Sequence, residues 1–133
     1  MKKVLALLIL VAPQFLFSNY EDSLKGYWHG FGLIVQIKDC EDKICGLIEH
    51  MFVEDGEDPK LILDENNKDK NLRTRTLIGS NILYEIDKKP DSKKTFIGKI
   101  YNPEEGKSYK SKIRQLDNGN LEIKGCFAVV CRK

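Results

Sequence analysis

The clearest alternation of apolar and polar positions lies between Lys94 and Leu116, where two runs flank Asn102-Pro103-Glu104-Glu105-Gly106. In the second run Tyr109, Ser111, Ile113 and Gln115 alternate with Lys110, Lys112 and Arg114, the spacing of a strand with one wet face. Pro103 fixes φ and Gly106 tolerates positive φ, so the residues between the runs predict a tight turn.

Similar patterns recur on either side. Phe31, Leu33, Val35 and Ile37 alternate with Gly30, Gly32, Ile34 and Gln36, predicting one long first strand over 29–38 whose glycines mark a bend or a close backbone approach. Asp39 to Lys43 reads as a polar turn, and Cys45 to Val53 as a second strand. An acidic turn, Glu54 to Pro59, leads to the short apolar piece Leu61-Ile62-Leu63 and then to a very polar loop, Asp64 to Asn71. Strands are expected over 72–78 and 82–86, and Asn118-Gly119 signals a hairpin before a last strand from Leu121 to Arg132. Only Glu21 to Lys25 suggests a turn of helix. About eight short strands joined by short turns predict an all-β fold, and closure into a small up-and-down antiparallel barrel would remove exposed edges.

The first eighteen residues follow a different pattern. Lys2 and Lys3 precede an unbroken apolar run, Val4 to Ala12, and Ser18 stands just before Asn19. This is the form of a signal peptide over 1–18, with an apolar run too short to span a bilayer. The expected mature chain, 19–133, is one domain of periplasmic or secreted location, with no stable membrane insertion after cleavage. Its charge differs from that of the whole: 22 Lys and Arg stand against 20 Asp and Glu, and without Lys2 and Lys3 the two signs balance. A neutral protein has no global field to draw it to nucleic acid, so no nucleic-acid partner is expected.

Four cysteines fall in two local pairs of identical spacing, Cys40 with Cys45 and Cys126 with Cys131. An even count behind a signal peptide reads as disulfides. Three connectivities are open, and the two local bonds, Cys40–Cys45 and Cys126–Cys131, are favoured over a redox or zinc role.

Candidate chemistry is sparse. Asp64 and Asn66 begin like a calcium loop, but Lys68 stands where an oxygen ligand belongs, so this stretch reads as a solvated loop. His29 and His50 could approach each other near one end of the first hairpin, without a carboxylate at metal-binding spacing. Neither a metal nor a cofactor is expected, and no nucleophile elbow, zinc-protease helix or phosphate loop is present, so the chain does not read as an enzyme. Arg73 and Arg75, at i and i+2, would share one strand face and could take a carboxylate or phosphate if they pointed into the barrel. Tyr101 and Tyr109 are candidate amphipathic liners, and Ser111 and Gln115 lie on the same alternating row as Tyr109.

In chain order, Gly26-Tyr27-Trp28, Cys40 to Gly46, Asn71 to Gly79, Ile100 to Tyr109 and Leu121 to Arg132 resemble domain-of-unknown-function family 2147, a group of exported bacterial proteins. The most specific part is Tyr-x-Pro-x-x-Gly-Lys-x-Tyr, Tyr101 to Tyr109. The resemblance implies a lipocalin- or calycin-like β-barrel and no established reaction. It also implies structural roles for Gly26 and Trp28, whose indole would close the barrel base with Arg132 lying over it.

An eight-stranded barrel has an interior just wide enough for side chains or one small ligand. The leading expectation is therefore a small, partly apolar and conceivably acidic ligand held inside, with Gly30, Gly32, Gly79 and Gly98 leaving it room. The alternative is an envelope protein–protein interaction module with a filled barrel.

Overall fold

The computed structural model of the chain describes residues 20–127 and 130–132. The expected signal peptide, 1–18, the Cys131 thiol and the Arg132 guanidinium lie outside the described residues. A short helix α1 (Tyr20–Leu24) precedes eight strands: β1 (Gly26–Gly30), β2 (Leu33–Cys40), β3 (Lys43–Met51), β4 (Asn81–Ile86), β5 (Phe96–Asn102), β6 (Lys107–Gln115), β7 (Leu121–Phe127) and β8 (Val130–Arg132). They form one sheet in the order β1-β2-β3-β4-β5-β6-β7-β8, each antiparallel to its neighbour, which is the up-and-down arrangement expected.

The strand count agrees with the sequence, but two of the strands differ. The expected first strand, 29–38, is broken at Phe31 and Gly32, whose φ values of 54 and 72 place both in the left-handed region and fold the chain into a two-residue hairpin. The expected last strand breaks likewise into β7 and β8, with Cys126 opposite Cys131 in register. Conversely, 72–78 is not a strand. Lys70–Leu72 is a 3₁₀ turn, Arg73 at its end is helical (φ −68, ψ −18), and only Thr76 makes an isolated bridge, to Leu63. Alternation of Leu, Arg and Thr there reflects a winding loop with no neighbouring strand to extend it.

One face of the sheet carries the core. Ile37, Ile44, Leu83, Ile86, Phe96 and Ile113 are buried in a single cluster with Leu24 of α1, and Trp28, Val35, Ile100, Leu121 and Ile123 pack against it. Register explains the pattern: Phe96 faces Ile113, Ile113 faces Ile123, and Leu83 faces Ile100, so every second residue of adjacent strands meets on one side. The opposite row, Lys110, Lys112 and Arg114, is exposed as expected, while Ser111 and Ile113 are buried.

Of the glycines expected to leave room, Gly98 is filled, as is Gly46, whereas a Cβ on Gly30, Gly32 or Gly79 would meet nothing within 4 Å and one on Gly125 would meet only Ile100 at 3.6 Å. A Cβ on Gly98 would lie 2.6 Å from Ile86 Cγ1, and one on Gly46 would lie 3.0 Å from Val35 Cγ1 and 3.2 Å from Leu83. Their missing side chains are replaced by neighbouring aliphatic groups.

The two ends are unlike. Turns 41–42, 87–95 and 116–120 gather with α1 at one end, where the Trp28 indole N–H donates to the Leu24 carbonyl at 2.7 Å. The Cys40–Cys45 disulfide, with Cα atoms 5.7 Å apart, closes the β2–β3 hairpin there. Lys25 reaches Asp39 at 3.0 Å and Asp22 at 3.1 Å, tying the helix to that hairpin. At the opposite end are the Phe31–Gly32 turn, the long connection 52–80 and the β5–β6 turn.

Candidate functional site

The connection 52–80 has no strand to hold it, so its backbone polar groups must find partners elsewhere. Most are met within the connection itself, and Asp64 stands at the centre of it. Its backbone N–H donates to the Arg75 carbonyl at 3.0 Å, and the Leu77 N–H to the Ile62 carbonyl at 2.9 Å, closing the loop on itself. The side chain, 1 % exposed, is ringed by donors. Oδ2 accepts from Asn67 Nδ2 at 2.8 Å and from two Arg75 nitrogens at 3.0 and 2.9 Å, and Oδ1 accepts from the Tyr101 hydroxyl at 2.5 Å. The Arg75 guanidinium also lies 5.7 Å from the centre of the Tyr101 ring.

A second layer fastens this group to the barrel. Arg73 Nε donates to the Asn67 carbonyl at 2.8 Å, and Asn67 Oδ1 accepts from the Asp69 N–H at 2.9 Å. The loop backbone lies against the β5–β6 turn at Gly106, where an added Cβ would fall 1.7 Å from the Asn66 carbonyl oxygen, and φ is +70. Only glycine permits that approach. Asn66 Nδ2 completes the contact at 3.3 Å from the Pro103 carbonyl.

The electrostatics favour one protonation state. Burial alone would raise the Asp64 carboxyl, but hydrogen bonds from Asn67, Tyr101 and Arg75, with the Arg75 charge, outweigh it and hold the group below the usual carboxylate range. Burial, reinforced by the adjoining Asp64 carboxylate, pushes the Tyr101 hydroxyl up to about 12. At neutral pH an ionised acid therefore accepts from a neutral phenol, and neither is poised to exchange a proton. The arrangement holds a loop.

Among the sequence candidates, Arg75 and Tyr101 are brought together through Asp64, and Arg73 stands beside them with its side chain exposed. The two arginines do not line the barrel, because the segment that carries them is loop and its polar groups are committed to Asp64 and Asn67. Tyr109 is half-buried and its hydroxyl donates to Glu105. Ser111 is wholly buried inside the sheet, and its hydroxyl has no hydrogen-bond partner among the described residues. Gln115 is exposed at the other end and donates to the Gly119 carbonyl.

The solvated-loop reading of Asp64 to Asn71 needs correction at Asp64 and Asn67, which are 1 % and 7 % exposed. Their partner Tyr101 is 37 residues from Asp64 along the chain, beyond the reach of local pattern. Its neighbour Gly106, in the same short motif, is the signal that could have pointed there.

His29 and His50 do approach a common group, but through an aromatic ring: Phe52 lies 5.1 Å from one imidazole and 4.9 Å from the other. Among the described residues no group of three or more His, Cys, Asp or Glu could hold a metal ion. Two grooves stand out, and both are on the outward face. One, of about 590 Å³, is lined by Tyr84, Lys99, Lys110 and Lys43, and the other, of about 380 Å³, by Lys112, Arg114, Glu122 and Lys124.

Residues 25–133 match the family described as "Uncharacterized protein conserved in bacteria (DUF2147)". The chain belongs to this family. Among solved structures it is similar to one described as "Protein HP1028 from the human pathogen Helicobacter pylori belongs to the lipocalin family", with a TM-score of 0.59 and 24 % identity over 76 % of this chain and 68 % of that one. The likeness establishes a lipocalin-like fold. No curated protein matches the chain.

Proposed function

We propose that this DUF2147 chain is an exported binding module whose barrel is filled by its own side chains and whose open end receives a protein partner. One observation carries the reading: two interior positions that lack side chains, Gly46 and Gly98, are taken up by Val35, Leu83 and Ile86. A packed interior has no site for a drug-sized ligand, which needs a cleft of roughly 300–1,000 Å³. Lys2, Lys3 and the apolar run after them, together with the Cys40–Cys45 disulfide, support export to the periplasm or beyond. The hydrogen-bonded state of Asp64 and Tyr101 supports a non-enzymatic role. Native mass spectrometry on protein isolated from its own envelope tests the reading. It should give the bare mature mass, and a small molecule retained on the folded chain would overturn it.

One feature favours the other reading, a small ligand held inside. The Ser111 hydroxyl is 0 % exposed and unpartnered, and its two register neighbours are Gly98 and Gly125. An unmet buried hydroxyl costs about 1–3 kcal/mol, which a ligand's polar atom would offset. Ser111→Ala separates the two. It leaves a filled barrel as stable or more so, and it weakens a ligand held at that hydroxyl.

A further inference from the structure

The end of the barrel that Asp64 fastens also displays apolar side chains. Phe31 is 88 % exposed, Phe52 54 % and Leu61 73 %. Phe31 is the unusual one. It occupies the first position of the β1–β2 turn with φ 54, where Asn, Asp or Gly is favoured and a bulky residue is strained. The chain thus accepts two unfavourable terms at one residue, a strained backbone and an aromatic ring in water, and neither helps the barrel fold. The Phe52 N–H donates to the Gly32 carbonyl at 2.9 Å, which sets the second ring beside the same turn, and His29 and His50 pack on it from either side. The patch is continuous across β1, β2 and β3, since His29 pairs with Ile34 and Ile34 with His50.

The charge beside this patch selects its partner. Glu54, Asp55, Glu57 and Asp58 follow Phe52 after Val53, all exposed, with Lys60 the first cation after them. Anionic lipid would be repelled by such a loop, whereas lysine or arginine flanking an apolar side chain would be drawn to it. A second copy of the chain could offer the Lys110, Lys112, Arg114 row, but a barrel end on a barrel side is a head-to-tail contact, which closes only into a ring of matching rotation and otherwise grows into a filament.

We infer that Phe31 and Phe52, bordered by the acidic loop 54–58, form the docking surface for a polypeptide segment whose apolar side chains are flanked by lysine or arginine. This rests on the interaction-module reading and gives it a place and a chemistry.

The probe is a short synthetic peptide of phenylalanines flanked by lysines, with a glutamate-flanked peptide as control, titrated into the mature chain by calorimetry. The lysine peptide should bind and the glutamate peptide should not, with affinity falling as sodium chloride is raised. Phe31→Asn and Phe52→Ser should each weaken binding about tenfold, as expected for an aromatic anchor. Phe31→Asn should also raise Tm, because asparagine suits the left-handed turn, so its lost binding is not lost folding. Equal binding of both peptides, or unchanged affinity in Phe31→Asn, overturns the assignment. So does association of the mature chain with phosphatidylglycerol vesicles in place of the peptide, or a concentration-dependent self-association that the Phe31 change abolishes. If the lysine peptide fails while the native mass is bare, the place assigned here is wrong and the filled barrel stands. A retained small molecule removes the filled barrel itself.

Discussion

At one end of the barrel Leu24 of α1 is wholly buried among Ile37, Ile44, Ile86 and Phe96, while at the other a carboxylate with three donor side chains fastens the connection 52–80. Apolar packing is tolerant of geometry: it gains from area removed from water and accepts many side-chain arrangements. The Asp64 group is not tolerant. Each donor must sit within hydrogen-bond distance of one oxygen, so a single loop conformation satisfies it. The first end is built to be stable and the second to be definite, and a surface that presents particular side chains needs the second property.

Substitutions at each end should sharpen that contrast. The largest effect belongs to Gly106→Ala, whose Cβ would overlap the Asn66 carbonyl at 1.7 Å. Urea unfolding should show a loss of about 3 kcal/mol or more. Leu24→Ala should cost about 2–4 kcal/mol by leaving a cavity, yet hydrogen exchange in 59–80 should keep its protection, because that loop lies at the opposite end of the sheet. Asp64→Asn removes a charge that Arg75 and Tyr101 both address. Arg75 is one-third exposed and water can reach it, so about 2 kcal/mol is expected. The loss should appear as faster exchange confined to 59–80, and uniform loosening would erase the distinction between the ends.

Smaller still is the pH response. Tyr101 titrates near 12 when folded and near 10 when unfolded, so its contribution is complete below pH 10 and lost as pH rises toward 12. About 2 kcal/mol is at stake by the upper limit, and Tyr101→Phe should remove that alkaline decline from a plot of Tm against pH. Asp64 acts in the opposite sense, its folded value being depressed below 3.8, so its share is present above that pH and lost in more acid solution.

The sequence made the hairpins far easier to read than the long connection. Period-two runs around Pro103, the Asn118-Gly119 turn and the Cys40–Cys45 spacing are short-range signals, and each corresponds to an observed hairpin or bond. Positive φ at Phe31 was hidden because phenylalanine rarely takes it, so 29–38 read as one strand. Arg73 and Arg75 imitated a strand because alternation alone cannot tell a ladder from a loop with no partner. Asp64 was obscured by company: amid Glu65, Asn66, Lys68, Asp69 and Lys70 a buried carboxylate looks like one more solvated charge. What distinguishes it is a phenol far along the chain.

That distance has a kinetic side. Every ladder in the sheet joins strands consecutive in sequence, and short turns join them except where β3 must find β4 across the connection 52–80, as Ile44 finds Ile86. The Asp64–Tyr101 contact is a second long-range closure, and it draws on β5 and on the Gly106 turn against which the loop backbone lies. It therefore belongs to the last stage of folding. Asp64→Asn should leave the refolding rate almost unchanged and speed unfolding instead, so that the fastening of the long loop governs how long the finished protein lasts and not how quickly it is made.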